Sequence, residues 1–314
     1  MLPTNIVRGS TGHTTHSNAV STKLNRYVDS GDYATIQAAI DAAAAANLPV
    51  FIPAGTHSIT ATLTLPENTE MIMAREADLR PASNINVIRM YPGSRLSGGK
   101  ITTTYTDGYT SDCILLHADD VFDFKDGTLI ENVVMTGTGG NGTGIHLLAE
   151  QRADRTTYIF GVEIRGCRFY GFNKGLHIHA VLADPVSAWW SSVNACTYSN
   201  LFFWSCITAI DIQADDPTNT RLNGAGGSTF GTIQIQPESA SISAIHCGSS
   251  HNLFMGVFIW DWHSLSLPGN TYPAITIDQF CIRNMFYTNI NPIYTTDNGA
   301  DNFIFSPSSP TGTV

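Results

Sequence analysis

The chain has 314 residues, a formal net charge of -10, and 13% charged against 43% hydrophobic side chains. That acidic, sparsely charged balance disfavours a non-specific grip on nucleic acid or anionic membrane surfaces, and a neutral or weakly charged ligand suits it better. No stretch is apolar for the roughly 20 residues that a membrane-spanning helix needs, so no membrane insertion is expected.

Residues 1–30 are rich in Ser, Thr and Asn, show no periodicity and read as an extended lead-in. They have neither the charged start nor the apolar run of a secretion signal. From Asp32 the pattern turns helical. Ile36, Ala39, Ile40 and Ala43 share one face, Asp32 or Thr35 is available at the start and Asn47 at the end, which predicts a helix over about 34–46. Ahead of a run of short strands, such a helix can plug an open end that would otherwise expose an apolar cross-section and unpaired edges. Two short strands follow, in Leu48–His57 and in Thr62–Pro66.

Further on, two series recur. The first is an Asn or Gly ahead of a short apolar segment: Glu131-Asn132-Val133, Arg165-Gly166-Cys167, Ser199-Asn200-Leu201, Phe230-Gly231-Thr232, His251-Asn252-Leu253, Arg283-Asn284-Met285 and Asp301-Asn302-Phe303. The second is Gly144-Ile145-His146, Gly175-Leu176-His177, Ala209-Ile210-Asp211, Ala244-Ile245-His246, Ala274-Ile275-Thr276 and Pro292-Ile293-Tyr294. Asn and Gly tolerate the left-handed backbone that β-branched residues avoid. A tight bend repeated about every 20 to 35 residues between short strands marks a solenoid. We read one domain, 31–305, as an all-β, single-stranded right-handed parallel β-helix with an N-terminal capping helix, ending in a Pro/Ser/Thr tail at 306–314.

Coils of such a solenoid stack at about 4.8 Å, so equivalent positions form ladders. Ile145, Leu176, Ile210, Ile245, Ile275 and Ile293 then fill the core. Their followers His146, His177, Asp211 and His246 point outward on consecutive coils, because side chains alternate faces along a strand. Asn132, Gly166, Asn200 and Asn284 are expected to lie over one another. Glu131 and Arg165 occupy adjacent outward rungs and read as a structural ion pair. The six cysteines have no CxxC pair, and plain buried thiols are the simpler reading than zinc or disulfides.

The helix Ile36-Gln37-Ala38-Ala39-Ile40-Asp41, the segment Val50-Phe51-Ile52-Pro53-Ala54-Gly55-Thr56-His57 and the strand Leu63-Thr64-Leu65-Pro66 together resemble the entry module of the pectate-lyase-like β-helix superfamily, in its phage tailspike and polysaccharide-depolymerase branch. The resemblance is specific over about 31–75. It implies a virion-borne or extracellular protein, often a homotrimer, acting on long glycans such as bacterial capsular or O-antigen polysaccharide. It does not transfer catalytic residues. The clustered Asp calcium ligands of pectate lyases are missing, Asp215-Asp216 stands without an Asn-Thr-Asp partner motif, and Gly12-His13-Thr14 lies in the lead-in.

The site must come from chemistry. Glycoside hydrolysis uses two carboxyl groups roughly 5–9.5 Å apart. Asp211 on the outward column and Asp215, taken as the start of the following loop, meet that need most naturally, with His177 one coil below tuning Asp211 or orienting a water. His146 and His246 flank them as substrate contacts. Long connections at 150–155, 184–190 and 215–227 would wall a groove, offering Trp189 and Trp190 as platforms for sugar rings and Arg221 for an anionic sugar. Each also has a plainer reading, as loop packing, a loop-internal ion pair or a column whose members bond one another. A ladder at strand spacing is too straight to wrap a tetrahedral ion, so no metal is assigned and no cofactor is implied. A runner-up site is Trp260-Asp261-Trp262 with Asp278, although the alternation there also fits a core strand. A hydrolase, a lyase, a non-catalytic adhesin and a structural shaft all remain open.

Overall fold

The computed structural model describes residues 26–118, 124, 127–182, 190–215, 224–238, 241–260, 262, 272–279, 281–290 and 294–306, with residue 215 described by its backbone alone. Among them two long sheets run the length of the chain, of 14 and nine strands, with a third, two-stranded sheet beside them. Neighbouring strands pair in parallel throughout, and the chain alternates between the sheets, laying each strand against its counterpart one coil earlier. This is the winding of a β-helix.

The second sheet positions the site. It contains the strands Asp112–Ala118, Thr143–Glu150, Lys174–Val181, Thr208–Asp215, Ser243–Gly248 and Ile275–Ile277. The register places Ile145, Leu176, Ile210, Ile245 and Ile275 on consecutive rungs, all buried. The next rung is Thr295, not Ile293 as the repeat suggested; Ile293 lies outside the described residues. Across the core, the first sheet contributes a file of aromatic rings. Tyr198, Phe230, Phe254 and Phe286 stack with centroids 4.6, 4.3 and 4.4 Å apart, and Phe169 lies 4.5 Å from Phe203. The third sheet, Thr157–Phe160 with Ser191–Asn194, follows directly on the connections 150–155 and 184–190 that sequence reading treated as loops.

The bends separate into two ladders where the sequence suggested one. Asn132, Gly166, Asn200, Thr232 and Gly256 are left-handed, with φ of 57°, 66°, 52°, 54° and 68°, and follow paired positions of the first sheet. A Cβ on Gly166 would meet the Asn132 Oδ1 at 2.4 Å, so any larger residue there would push the Asn132 side chain aside, and its φ of 66° also favours glycine. Asn284 belongs to another corner, just ahead of the strand Met285–Thr288. There the left-handed residues include Ala195, Gly227, His251, Arg283 and Asp301, and Asn252 and Asn284, which follow His251 and Arg283, are buried. The Asn252 N–H donates to Asn284 Oδ1 at 2.9 Å, and the Asn284 N–H to Asn302 Oδ1 at 2.9 Å. Such a ladder satisfies buried backbone donors that a sharp bend takes out of the sheet.

A helix spans Ile36–Ala46 and buries Ala39, Ile40 and Ala43. Thr35 Oγ1 accepts from the Ala38 N–H at 3.1 Å, and Asn47 ends it at φ 50°. Its Gln37 amide bonds both backbone groups of Thr64, on the strand Leu63–Leu65 that ends the second sheet. The six cysteines are buried free thiols. No helix among the described residues is long and apolar enough to cross a membrane.

Candidate functional site

The column runs as the alternation dictates, with His146 paired to His177, His177 to Asp211, and Asp211 to His246. It is not a solvated face, however. His177 is 6% and Asp211 3% exposed. Both are covered by neighbouring side chains, notably Lys174, three residues before His177, and Gln213, two after Asp211, and by each other.

Asp211 is the electrostatic centre. Lys174 Nζ donates to its Oδ2 at 2.5 Å, and His246 Nδ1 sits 2.6 Å from its Oδ1. Burial works to raise the Asp211 pKa, yet the hydrogen bonds from His246 and Lys174 hold it at about 2. A group held ionised this firmly is unsuited to donate a proton near neutrality. It instead charges its neighbour. His246 bonds Asp211 through Nδ1 and Asp278 through Nε2, at 2.9 Å, and these two carboxylates, Asp211 foremost, lift its pKa to about 9. Asp278 stands at the outer end of this chain with its side chain 47% exposed.

His177 has the opposite character. Burial first, then His146 and Lys174 beside it, lower its pKa to about 3, so it is neutral at ordinary pH. Its Nε2 lies 3.0 Å from Lys174 Nζ and 2.9 Å from Gln213 Oε1. Its ring stacks on that of His146 at 4.3 Å, and His179 lies 5.0 Å away. His146 Nδ1 is 3.1 Å from Asp112 Oδ2.

Asp215 ends the strand Thr208–Asp215, where sequence reading had it opening a loop. Four residues of extended chain put it about 13 Å from Asp211 between Cα atoms. Asp278, expected beside Asp261, is bonded into the main column. Trp262 is buried, donating its Nε1–H to the Tyr272 carbonyl at 3.2 Å, while Trp260 is 45% exposed. Trp190 is 47% exposed at the edge of the third sheet. Trp189, Arg221 and Asp261, and the connections 183–189 and 216–223 that were to wall the groove, lie outside the described residues. Glu131 and Arg165 form the expected ion pair, at 2.8 Å. Lys174, Gln213 and Asp112 escaped the sequence reading: Gln213 is two residues past Asp211 on its strand, whereas Lys174 and Asp112 stand at the starts of their strands, three rungs ahead of the column.

No family model matches the chain, and no curated protein does. Among solved structures, ORF18 of Geobacillus virus E2 superposes with a TM-score of 0.53 at 13% identity, over 95% of this chain and 64% of that one. This chain thus spans less than two thirds of that protein's length. The Streptococcus pneumoniae surface protein and adhesin PfbA matches at 12% identity and TM-score 0.41, over 85% and 82% of the two chains. The tailspike gp49 of the Acinetobacter baumannii bacteriophage Fri1, a capsular polysaccharide depolymerase, matches at 12% and 0.42, over 92% and 64%. The likeness to ORF18 places the chain in the right-handed β-helix fold.

Proposed function

We propose that the chain binds and cleaves a long bacterial surface glycan, a capsular or O-antigen polysaccharide, as an endo-glycosidase of a virion or extracellular particle. The observation that carries this reading is the series Asp211, His246, Asp278. Two carboxylates hold one imidazole by its opposite nitrogens, which sets a charged imidazole beside the half-exposed carboxylate of Asp278. In this reading Asp278 is the base that meets water or sugar, His246 the proton donor, and Asp211 the buried charge that keeps His246 loaded and oriented. Asp278 takes the part that sequence reasoning gave Asp215. His177 acts as a positioning group through Gln213 and Lys174. Trp190 and Trp260 supply exposed ring faces for sugar. The exposed Trp204, Met255, Phe258, Tyr287 and Phe303 of the first sheet suit packing between copies in a homotrimer. The helix Ile36–Ala46 closes the first coil.

A lyase is the second reading, favoured by Lys174 and the cationic His246 at one point, which would neutralise a uronate. The test is incubation with a panel of purified capsules and O-antigens. New reducing ends without absorbance near the ultraviolet edge support the hydrolase, and unsaturated products the lyase. Asp278→Asn should retain glycan while abolishing turnover. Binding with no product from the unaltered chain on any glycan that it retains would leave an adhesin and end the enzymatic reading.

A further inference from the structure

Beside the carboxylate series, at the other end of the column, three imidazoles converge. His146 and His177 are successive rungs, and His179 stands two residues along the strand from His177, so it lies off the straight ladder. That offset changes the geometry from a line to a triangle. One ring nitrogen from each of the three lies within 4.8 Å of the others. Two nitrogens sharing one ion at about 2.1 Å each can be at most about 4.2 Å apart, so binding requires the three nearly parallel rings to turn until their lone pairs converge.

The first of these rings is already arranged as a ligand. Asp112 Oδ2 accepts from His146 Nδ1 at 3.1 Å, which fixes the proton on that nitrogen and leaves the lone pair on Nε2. Nε2 is buried and has no hydrogen-bond partner. An acceptor buried without a donor is costly, and the rings of His177 and His179 stack beside this one. A carboxylate behind a histidine whose other nitrogen is open is the usual outer shell of a metal-bound imidazole. The carboxylates of Asp112 and Asp211 balance added positive charge, the second shared with Lys174.

From this the geometry points to a site in which His146, His177 and His179 bind one divalent transition-metal ion of the zinc, cobalt or nickel class. Imidazole donors select those ions over calcium and magnesium, which take oxygen ligands. Three protein ligands leave a fourth position for water or an anionic group of a ligand. The site shares His177 with the column of the glycan reading but not Asp278, His246 or Asp211 as ligands.

The experiment is a titration of the untagged, chelator-treated full chain with Co2+, followed by visible absorbance, and with Zn2+, followed by calorimetry. One saturable ion per chain with the absorbance of a nitrogen-ligated cobalt site is expected. His179→Ala, at a part-exposed position, and His146→Ala should each weaken binding at least 100-fold, and Asp112→Asn about 10- to 100-fold. His57→Ala, on a strand of the first sheet, should leave it unchanged. Circular dichroism confirms that each variant is folded. An absence of saturable binding, or affinity unaltered in folded His179→Ala and His146→Ala, overturns the site.

Discussion

The inward file Tyr198, Phe230, Phe254, Phe286 and the outward file His177, Asp211, His246 are made by the same device, one residue set over another by parallel pairing. Their contents differ in kind. In the first, each ring repeats its neighbour and contributes the same stacking and burial. In the second, adjacent rungs are unlike and complete one another: a neutral imidazole, a buried anion, a cation. A solenoid thus converts sequence repetition into redundancy inside and into a graded charge series outside.

The sharpest way to break that contrast is Asp211→Ala, which strands Lys174 and His246 without their shared anion and should cost about 3–5 kcal/mol. Unfolding in denaturant measures it, and a loss under about 1 kcal/mol would mean that water reaches the column. Phe254→Ala should cost a similar or slightly smaller amount, about 3–4 kcal/mol, by cavity formation alone and without altering the pH dependence of stability. Asn284→Ala, which removes one rung of the inward asparagine ladder, should cost about 1–3 kcal/mol in the same assay.

The pH profile sharpens the comparison further. His246, raised to about 9 from 6.5, contributes stability that is full below pH 6.5 and lost as pH climbs through 9. His177, lowered to about 3, contributes stability present above 6.5 and lost as pH falls towards 3, and Asp211 adds to that acid loss between 3.8 and about 2. Melting temperature should therefore peak near pH 6.5. His246→Gln should flatten the alkaline limb; a limb of unchanged slope would remove His246 from the charge series. The smallest effect is expected from Trp260→Ala, within about 0.5 kcal/mol of the unaltered chain in stability, with its consequence confined to retention of glycan.

Much of this was legible beforehand. Period-two alternation, with aliphatic Ile145, Leu176, Ile210 and Ile245 inside, fixed which of their followers face outward. Asn and Gly marked the bends because few other residues tolerate their φ. The same logic explains the misplaced Asn284: both corners of the coil need left-handed residues, and a letter cannot say which corner it occupies. At the second corner the left-handed residue is in fact His251, Arg283 or Asp301, with the asparagine one step on. The bond of Asp278 to His246 was not legible because Asp278 lies just past the short strand Ile275–Ile277, where ladder reasoning stops. The depth of Asp211 was hidden for another reason. Pointing outward does not expose a short side chain when longer neighbours, such as Lys174 and Gln213, fold over it.

Thr232 shows how far the winding rules its parts. It is β-branched, yet it sits at φ 54° between Asn200 below and Gly256 above, a conformation such a residue shuns when left to itself. Its neighbours in space, not in sequence, dictate its torsion angles. A turn of this molecule accordingly cannot relax alone: a kink introduced at one level is passed to the levels on either side, and tolerance to mutation is a property of the pile rather than of the single layer.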